Sequence, residues 1–336
     1  MKRIQLTIGF FGLISLLLFA PFSFAAAVDF DEAIEKLLRE GKYGEIETLM
    51  KARLSQNQND DEALYYLAII PIRMGKGPYD EAAQRLEKCI SLKPSNANYY
   101  HWLGRAYGLK ARDAGIFNAV GYLGKIKDAF EKSLELEPNN FEARSEYIQF
   151  HGRVPGILGG SFKRAKELAK GFEQYDRVKA RLLWAELWGF EEEYGKMKEE
   201  LNALPIPLPE HAQNHTRQLL RSIGGGLLER EKASDAKDVF LRYIQFFPDE
   251  PFGYNGLGRV YYDLGNYSEA IQQFDKAILL DKNIGSQYRL GLIYEKQGEK
   301  QKAIQNFEAF LSIARQRDKK QEEDARKRLQ TLRSQG

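Results

Sequence analysis

Apolar and small residues recur along this chain at spacings of three and four, in blocks that short polar turns divide into two halves. The clearest block spans residues 251–282. Leu257 and Gly258 stand in its first half, and Ala270 and Phe274 stand in its second. Spacings of three and four place residues on one face of an α-helix. The block therefore predicts two amphipathic helices joined by a turn.

The same landmarks return in five blocks along the chain. The block that follows repeats Leu257 and Gly258 as Leu290 and Gly291, 33 residues further on. Three upstream blocks carry matching residues, namely Leu67, Ala68, Ala82 and Leu86, then Leu103, Gly104 and Phe130, and then Gly224, Ala236 and Phe240. Glycine lets the partner helix approach closely, and the bulky residue fills the space between neighbours. One such block cannot bury its apolar face alone, so the blocks are expected to stack.

Residues 251–282 resemble the tetratricopeptide repeat (TPR) pattern W-x2-L-G-x2-Y…A-x3-F at nearly every position. The resemblance extends over most of residues 28–317. It implies an all-α fold, a right-handed TPR superhelix (α-solenoid) of about seven or eight helix pairs. We expect an irregular middle and a C-terminal cap helix, whose buried face would hold Ala325, Leu329 and Leu332.

A narrower resemblance rests on two segments, YYHWLGRAYG at 99–108 and PGILGGS at 155–161. In this order they look like a subfamily of exported bacterial TPR proteins with an extended LGRAYG repeat and a PG-x-x-GG loop. That resemblance implies the fold and export, and it supplies no catalytic residues. The glycines of the loop are expected to shape a turn, with Ser161 capping the next helix. The alternative is an anion site at that helix start.

The landmarks divide the chain into five segments. Residues 1–27 are predicted to be a signal peptide, and residues 28–140 to be N-terminal TPR units with an insert at about 108–127. Residues 141–210 lose most landmarks and end in a proline-rich connection, which predicts degenerate helical repeats. The last two segments are C-terminal TPR units at 211–317 and a charged cap helix or tail at 318–336.

The N-terminal segment has the layout of a secretory signal. Lys2 and Arg3 precede an apolar stretch, Pro21 breaks that stretch, and alanines follow near residues 25–27. This order predicts export and cleavage near Ala25 or Ala27. The uncharged stretch approaches the length of a membrane span, so an uncleaved anchor is the alternative. In a Gram-negative source, export would place the protein in the periplasm.

Composition removes several classes of function. The 336 residues carry 50 Lys+Arg against 47 Asp+Glu, a formal net charge of +3, which argues against a nucleic-acid binder. The single cysteine, Cys89, excludes a disulfide framework and is expected to be a buried thiol. His211 and His215 stand four apart, but no third ligand is evident. We therefore predict no enzyme, no catalytic residues, no cofactor and no metal.

The first helix of each unit lines the concave face of a TPR solenoid, and its non-consensus residues point there. Arginine and tyrosine are typical of interface hot spots, and several arginines would suit an extended peptide with carboxylates. This reasoning predicts a non-catalytic exported scaffold that binds a protein or peptide through Arg73, His101, Arg105, Arg221, Asn255, Arg259, Tyr262 and Tyr288. The alternative for these arginines is ion pairing within the repeats.

The insert offers a second interaction surface. Its Phe117 and Tyr122 would contact a membrane complex if the protein belonged to an envelope assembly or transport machine. Packing of the insert against the irregular region near residues 141–170 is the alternative.

Cleavage can be tested directly. Because the alanines follow the break at Pro21, we expect the protein recovered from the envelope of its source to start at Ala26 or Val28. N-terminal sequencing or intact mass spectrometry measures this. Recovery of a chain that still starts at Met1 in the membrane fraction would favour the anchored alternative.

Overall fold

The computed structural model describes residues 24–313 and 318–334. These residues form seventeen α-helices and one short 3-10 helix, which confirms the predicted all-α fold. Most of the predicted signal segment, residues 1–23, lies outside the described residues. The chain divides into two compact units between Ala143 and Arg144.

The first unit contains three helix pairs. In chain order its helices are α1 (Phe24–Arg39), α2 (Tyr43–Gln56), α3 (Asp61–Met74), α4 (Tyr79–Leu92), α5 (Ala97–Asp113) and α6 (Gly115–Leu136). Each helix contacts the next along the chain, and α3 also contacts α5. First helices thus lie beside first helices, as in a solenoid of stacked pairs.

The second unit contains five pairs and a final single helix. Its helices are α7 (Phe141–Arg153), α8 (Phe162–Phe172), α9 (Arg177–Phe190), α10 (Tyr194–Asn202), α11 (Glu210–Glu229), α12 (Ala233–Phe246), α13 (Pro251–Asp263), α14 (Tyr267–Leu280), α15 (Gln287–Lys296), α16 (Lys300–Ser312) and α17 (Lys319–Ser334). The first helices α9, α11, α13 and α15 contact one another in series. Eight pairs in the described chain match the predicted number.

In four of the eight pairs, a glycine of the first helix packs against a phenylalanine of its partner helix. A methyl group added at Gly258 would lie 2.6 Å from the ring of Phe274, and one at Gly291 would lie 2.6 Å from Phe307. The same relation joins Gly104 to Phe130 and Gly224 to Phe240. Phe240, Phe274 and Phe307 are almost completely buried. Glycine therefore recurs at this position of these repeats because the aromatic ring occupies the space that a side chain would fill.

Local signals begin and end the helices. Asp60 caps α3, since its carboxylate accepts a hydrogen bond from the Ala63 amide at 3.0 Å. Gly75 follows the last residue of α3 in the left-handed region, at φ 64°. The turn between α13 and α14 uses the same device at Gly265, with φ 79°. These short turns bring each helix back against its partner.

The insert lengthens the third pair instead of forming a separate element. Helix α6 has 22 residues, against 14 in α4, and it packs along α5. The Tyr107 and Tyr122 rings stack at 6.3 Å, and the Lys110 ammonium lies 4.9 Å from the centre of the Tyr122 ring. Tyr122 is therefore partly used within the hairpin. The side chain of Phe117 lies outside the described part of the structure.

Residues 141–210 are helical but irregular. The 3-10 turn Gly156–Leu158 separates α7 from α8, and Arg144 joins them through a 2.9 Å hydrogen bond to the Leu168 carbonyl. Helices α9 and α10 form a second pair, in which Met197 and Leu201 are buried. At the other end of the chain, Ala325, Leu329 and Leu332 of α17 are buried against α16, which confirms the predicted cap helix.

The glycine contact predicts opposite effects for one added methyl group at two sites. Gly258→Ala should lower the free energy of unfolding by about 1–3 kcal/mol, because its methyl group must displace the Phe274 ring. The matched control, Gly225→Ala in α11, meets no atom within 4 Å and should raise stability by about 0.5–1 kcal/mol. Urea unfolding followed by circular dichroism measures both. Equal effects would contradict the proposed role of the glycine.

Candidate functional site

In the first unit, two arginines lie against one buried tryptophan. The guanidinium of Arg73, from α3, is 5.2 Å from the ring centre of Trp102, and that of Arg105 is 4.1 Å away. Tyr65 meets the same ring edge-on at 6.4 Å, and burial raises the pKa of Tyr65 to about 12. Cation–π contact holds these positive charges at the surface of the first helices.

His101 lies in the core beside this cluster. Only 5% of its surface is exposed, and its ring is 6.2 Å from that of Phe130. Of the three residues predicted to line the groove in this unit, the structure brings Arg73 and Arg105 together and directs His101 inward.

In the second unit, the comparable feature is a pair of arginines on neighbouring first helices. Arg259 lies in α13 and Arg289 lies in α15. Burial and, to a smaller extent, the positive charge of Arg259 lower the pKa of Arg289 to about 10, so Arg289 stays cationic at neutral pH. Within the described residues, no carboxylate lies within ion-pair distance of either, and the buried Nε of Arg259 has no hydrogen-bond partner. We call these two residues the arginine pair.

The neighbours of the arginine pair leave it positively charged. The carboxylate of Asp263 interacts electrostatically with both arginines. Burial raises the pKa of Asp263 and outweighs the positive charges of the two arginines, which lower it. Tyr262 is half-buried, with its ring 5.9 Å from that of Tyr267.

The remaining predicted groove residues have partners inside the fold. Tyr288 donates a hydrogen bond to Asp324 of α17 at 2.8 Å, and burial raises the pKa of Tyr288 to about 12. Asn255 accepts a 2.8 Å hydrogen bond from Ser286. Both residues therefore fix one helix against another.

Arg221 forms an ion pair within the repeats, which is the alternative that the sequence left open. Its Nε donates to the Tyr243 hydroxyl at 3.0 Å, and its Nη2 lies 3.5 Å from the Glu250 carboxylate. The Tyr243 hydroxyl in turn donates to Glu250, which also binds Arg217 at 2.7 Å. This arginine thus belongs to an ion-pair network between neighbouring pairs, with 45% of its side chain exposed.

A cavity of about 960 Å³ opens in the second unit between the first helices α7, α9 and α11. Its polar lining includes Gln149, Arg153, Glu186, Tyr194, His215 and Arg221. That volume is in the range of pockets that hold small molecules or single side chains.

Glu186 is the most deeply buried charged group of the cavity. Its carboxylate accepts a 2.9 Å hydrogen bond from the Ser145 hydroxyl and another from the Gln149 side chain. Burial raises the pKa of Glu186 to about 7, and the charge of Arg153 opposes that shift. Burial also lowers the pKa of His215 to about 4, so its imidazole is neutral at physiological pH. The cavity thus contains one carboxyl group that titrates near neutrality.

Two glycines keep the wall of α11 open. Methyl groups added at Gly225 and Gly226 would meet no atom within 4 Å, whereas one at Gly224 would lie 2.8 Å from Phe240. Close helix packing therefore explains the first glycine of this triplet, and the other two border the cavity.

The tetratricopeptide repeat family model matches residues 251–284, and a second model of the same repeat matches residues 284–317. The chain is a tetratricopeptide repeat protein. Both matched segments begin at a first helix and coincide with the pairs α13/α14 and α15/α16. No curated protein matches the sequence significantly.

The chain is similar to several solved structures. Yeast Tom70 superimposes with a TM-score of 0.53 at 18% identity, over 87% of this chain and 59% of that one, so the chain spans about three fifths of its length. A tetratricopeptide repeat protein from Parabacteroides merdae gives 0.42 at 18% identity, over 90% and 98% of the two chains. A thermophilic TPR protein from Thermus thermophilus gives 0.42 at 21% identity, over 50% and 84%. At these identities the Tom70 match supports the fold alone.

The other motifs of this TPR protein have structural roles. A methyl group added at Gly160 would lie 1.6 Å from the Val154 carbonyl oxygen, so only glycine fits there. Ser161 caps α8 by accepting a hydrogen bond from the Arg164 amide at 3.2 Å. Cys89 is buried, as predicted. His211 binds Asp176 at 3.0 Å. Across residues 24–313 and 318–334, no group of three potential ligands could hold a metal ion, and no helix is long and apolar enough to span a membrane.

Sequence reasoning missed Glu186 and Arg289. Both stand on first helices at positions that the repeat pattern leaves free, so no landmark distinguishes them from solvent-exposed charges. Arg289 stands 30 residues after Arg259, three short of the 33-residue repeat, so the repeat register does not align the two arginines. For Glu186, the surrounding segment lacks landmarks, and only the packing of α7 against α9 shows its burial.

The raised pKa of Glu186 predicts how its replacement affects stability at different pH. Below its ordinary value of 4.5 the carboxyl group is protonated in both states, so it creates no difference. Between pH 4.5 and about pH 7 the unfolded chain loses this proton while the folded chain keeps it, so the loss of stability grows across this window and is complete above about pH 7. Glu186→Gln should therefore be more stable than the parent by about 3 kcal/mol near pH 8 and by almost nothing near pH 4. Chemical unfolding at both pH values measures this, and a constant difference would contradict the assignment.

Proposed function

We propose that this TPR protein is a non-catalytic scaffold that binds an acidic peptide or protein segment on its first-helix face. TPR proteins are in general protein-interaction scaffolds, which supports the broad class of function. The observation that carries the finer proposal is the arginine pair of the second unit. Two neighbouring, partly buried arginine side chains have no carboxylate within ion-pair distance in the described chain. A peptide carboxylate would supply the missing acceptor.

The energetics favour a role in binding over a role in stability. Two positive charges held close together repel each other, and burial strengthens that repulsion because water screens it less. Asp263 attracts the two arginines only from beyond ion-pair distance, so an anion placed directly beside them would relieve the repulsion. Arg221, by contrast, already has Glu250 and Tyr243 as partners, so it stabilises the repeat stack.

The first unit supplies a second, independent feature of the same kind. Arg73 and Arg105 lie against Trp102 on neighbouring first helices, which leaves cationic and aromatic groups at one surface. This composition is common in protein interfaces. We therefore propose two separate binding surfaces, Arg73 and Arg105 in the first unit and Arg259, Arg289 and Tyr262 in the second.

The proposal also includes export of the protein from the cytoplasm. The signal-like layout of residues 1–27 supports a scaffold that acts outside the cytoplasm, in the periplasm of a Gram-negative source. Docking to a membrane complex through the insert is less well supported, because Tyr107 and Lys110 already engage Tyr122 within the hairpin.

The arginine pair can be tested with a model peptide. A fluorescent decapeptide of alternating Glu and Gly should bind the parent protein in a fluorescence anisotropy titration at low salt, and a Lys-Gly decapeptide should not. Arg259→Gln with Arg289→Gln should weaken binding at least about tenfold, because the charge-assisted hydrogen bonds are lost. The free energy of unfolding should stay the same or rise, because the repulsion is removed.

The matched control changes the same charge elsewhere. Arg326→Gln with Arg333→Gln removes two exposed arginines of α17, which bind Glu322 and Glu308. This variant should bind the acidic peptide as the parent does. Equal losses in both variants would indicate a general charge effect, and a large loss of stability in the Arg259/Arg289 variant would indicate a structural pair; either result contradicts the proposal.

A further inference from the structure

The cavity between α7, α9 and α11 differs from the arginine pair in the charge of its buried group. Its deepest ionisable group is an acid, and it lies among residues that the peptide proposal does not use. Its volume is about 960 Å³. What such a space would hold depends on the charges and polar atoms of its wall.

The Glu186 carboxylate has no cationic partner within ion-pair distance among the described residues. Its hydrogen bonds come from Ser145 and Gln149, which are both neutral. Only 9% of the residue is exposed, so water compensates its charge poorly. A buried carboxylate with neutral donors alone is destabilising, and a cation placed beside it would relieve that cost.

The cationic side chains of the wall do not fill that role. Arg230 forms an ion pair with Glu192 at 3.3 Å, and Arg221 belongs to the Glu250 network. Arg153 is exposed and lies 5.6 Å from the centre of the Phe190 ring, and its charge reaches Glu186 only from beyond ion-pair distance. All three arginines are therefore exposed to solvent, whereas the Glu186 side chain is buried.

Two further features suit a ligand that donates hydrogen bonds. The Tyr194 hydroxyl borders the cavity, is buried and has no hydrogen-bond partner in the described part of the chain. Gly225 and Gly226 leave open space on the facing helix, although glycine within a helix costs about 1 kcal/mol each relative to alanine. The packing of α11 does not require either glycine, so their effect is to enlarge the cavity.

We propose that this cavity binds a cationic nitrogen group, an alkylammonium or a guanidinium, which pairs with the Glu186 carboxylate and donates to the Tyr194 hydroxyl. The group would belong to a small amine or to a lysine or arginine side chain of a partner. Binding transfers the carboxyl proton, where present, to solvent, and leaves an ion pair in its place. The neutral His215 imidazole adds no competing positive charge.

Binding of a cation at Glu186 should depend on pH in a defined direction. Ligand affinity should rise as Glu186 loses its proton, by at least about tenfold between about pH 5.5 and about pH 8. The other charged and titratable groups near this carboxylate come from α7, α9, α10 and α11, while α8 engages α9 through Lys166 and Glu173. They are Glu146, Arg153, Glu192, Tyr194, His215, Arg221, Glu229 and Arg230.

Isothermal titration calorimetry with agmatine and n-butylammonium tests the proposal on the full-length protein. Both cations should bind near pH 8, with proton release near pH 6.5 that changes the heat between buffers of different ionisation enthalpy. Butyrate, the anion of matched size, should not bind. Absence of binding by both cations at roughly 10 mM, or tighter binding of butyrate, would overturn the proposal.

Variants separate the cavity from other sites for cations. Glu186→Gln should reduce agmatine affinity at least about tenfold, and Gly225→Leu should reduce it by filling the space while Glu186 is unchanged. Glu192→Gln removes an exposed carboxylate at the rim and should change affinity less than about twofold. Equal affinity in the parent and Glu186→Gln would overturn the proposal. None of these variants touches the arginine pair, so the acidic-peptide titration distinguishes failure of this site from failure of the proposed function.

Discussion

The contact between a glycine of one helix and a phenylalanine of its partner sets the geometry of the repeats. At Gly104, Gly224, Gly258 and Gly291 the aromatic ring lies where a side chain would otherwise begin. This contact brings the two helix axes close and places the ring where the next pair can cover it. Because the same contact recurs, the first helices come to lie beside one another. The faces of these helices that point away from the partner helix take no part in this contact.

Those outer faces carry the groups that the fold does not need. Arg259 and Arg289 repel each other without a carboxylate partner, and Glu186 lies buried with neutral donors alone. Each arrangement costs stability, and natural folds retain such costs mainly where a site requires them. The two sites have opposite chemistry, since one offers positive charge to an acid and the other offers a carboxylate to a cation. The two proposals thus assign two different recognition surfaces to the second unit.

The sequence predicted the helices because their apolar spacing and glycine landmarks are local signals, as the pairs α13/α14 and α15/α16 show. It predicted the cap helix from Ala325, Leu329 and Leu332 for the same reason. Site residues are harder to predict from the sequence, because an arginine of a first helix looks the same in the repeat pattern whatever its contacts are. Arg221 pairs with Glu250, whereas the buried Nε of Arg259 has no hydrogen-bond partner in the described chain. The burial of Glu186 depends on contacts across 41 residues, to Ser145, which no local pattern encodes.

The cap helix has a consequence for how the array could have grown. Helix α17 covers the apolar face of α16 with alanine and leucine, and its Asp324 holds Tyr288 of the preceding first helix. A repeat appended after residue 334 would meet the charged side of this helix and find no apolar surface to dock on. The stack can therefore be lengthened without exposing this apolar surface by units placed upstream of α17, where each new pair finds an apolar face on both sides.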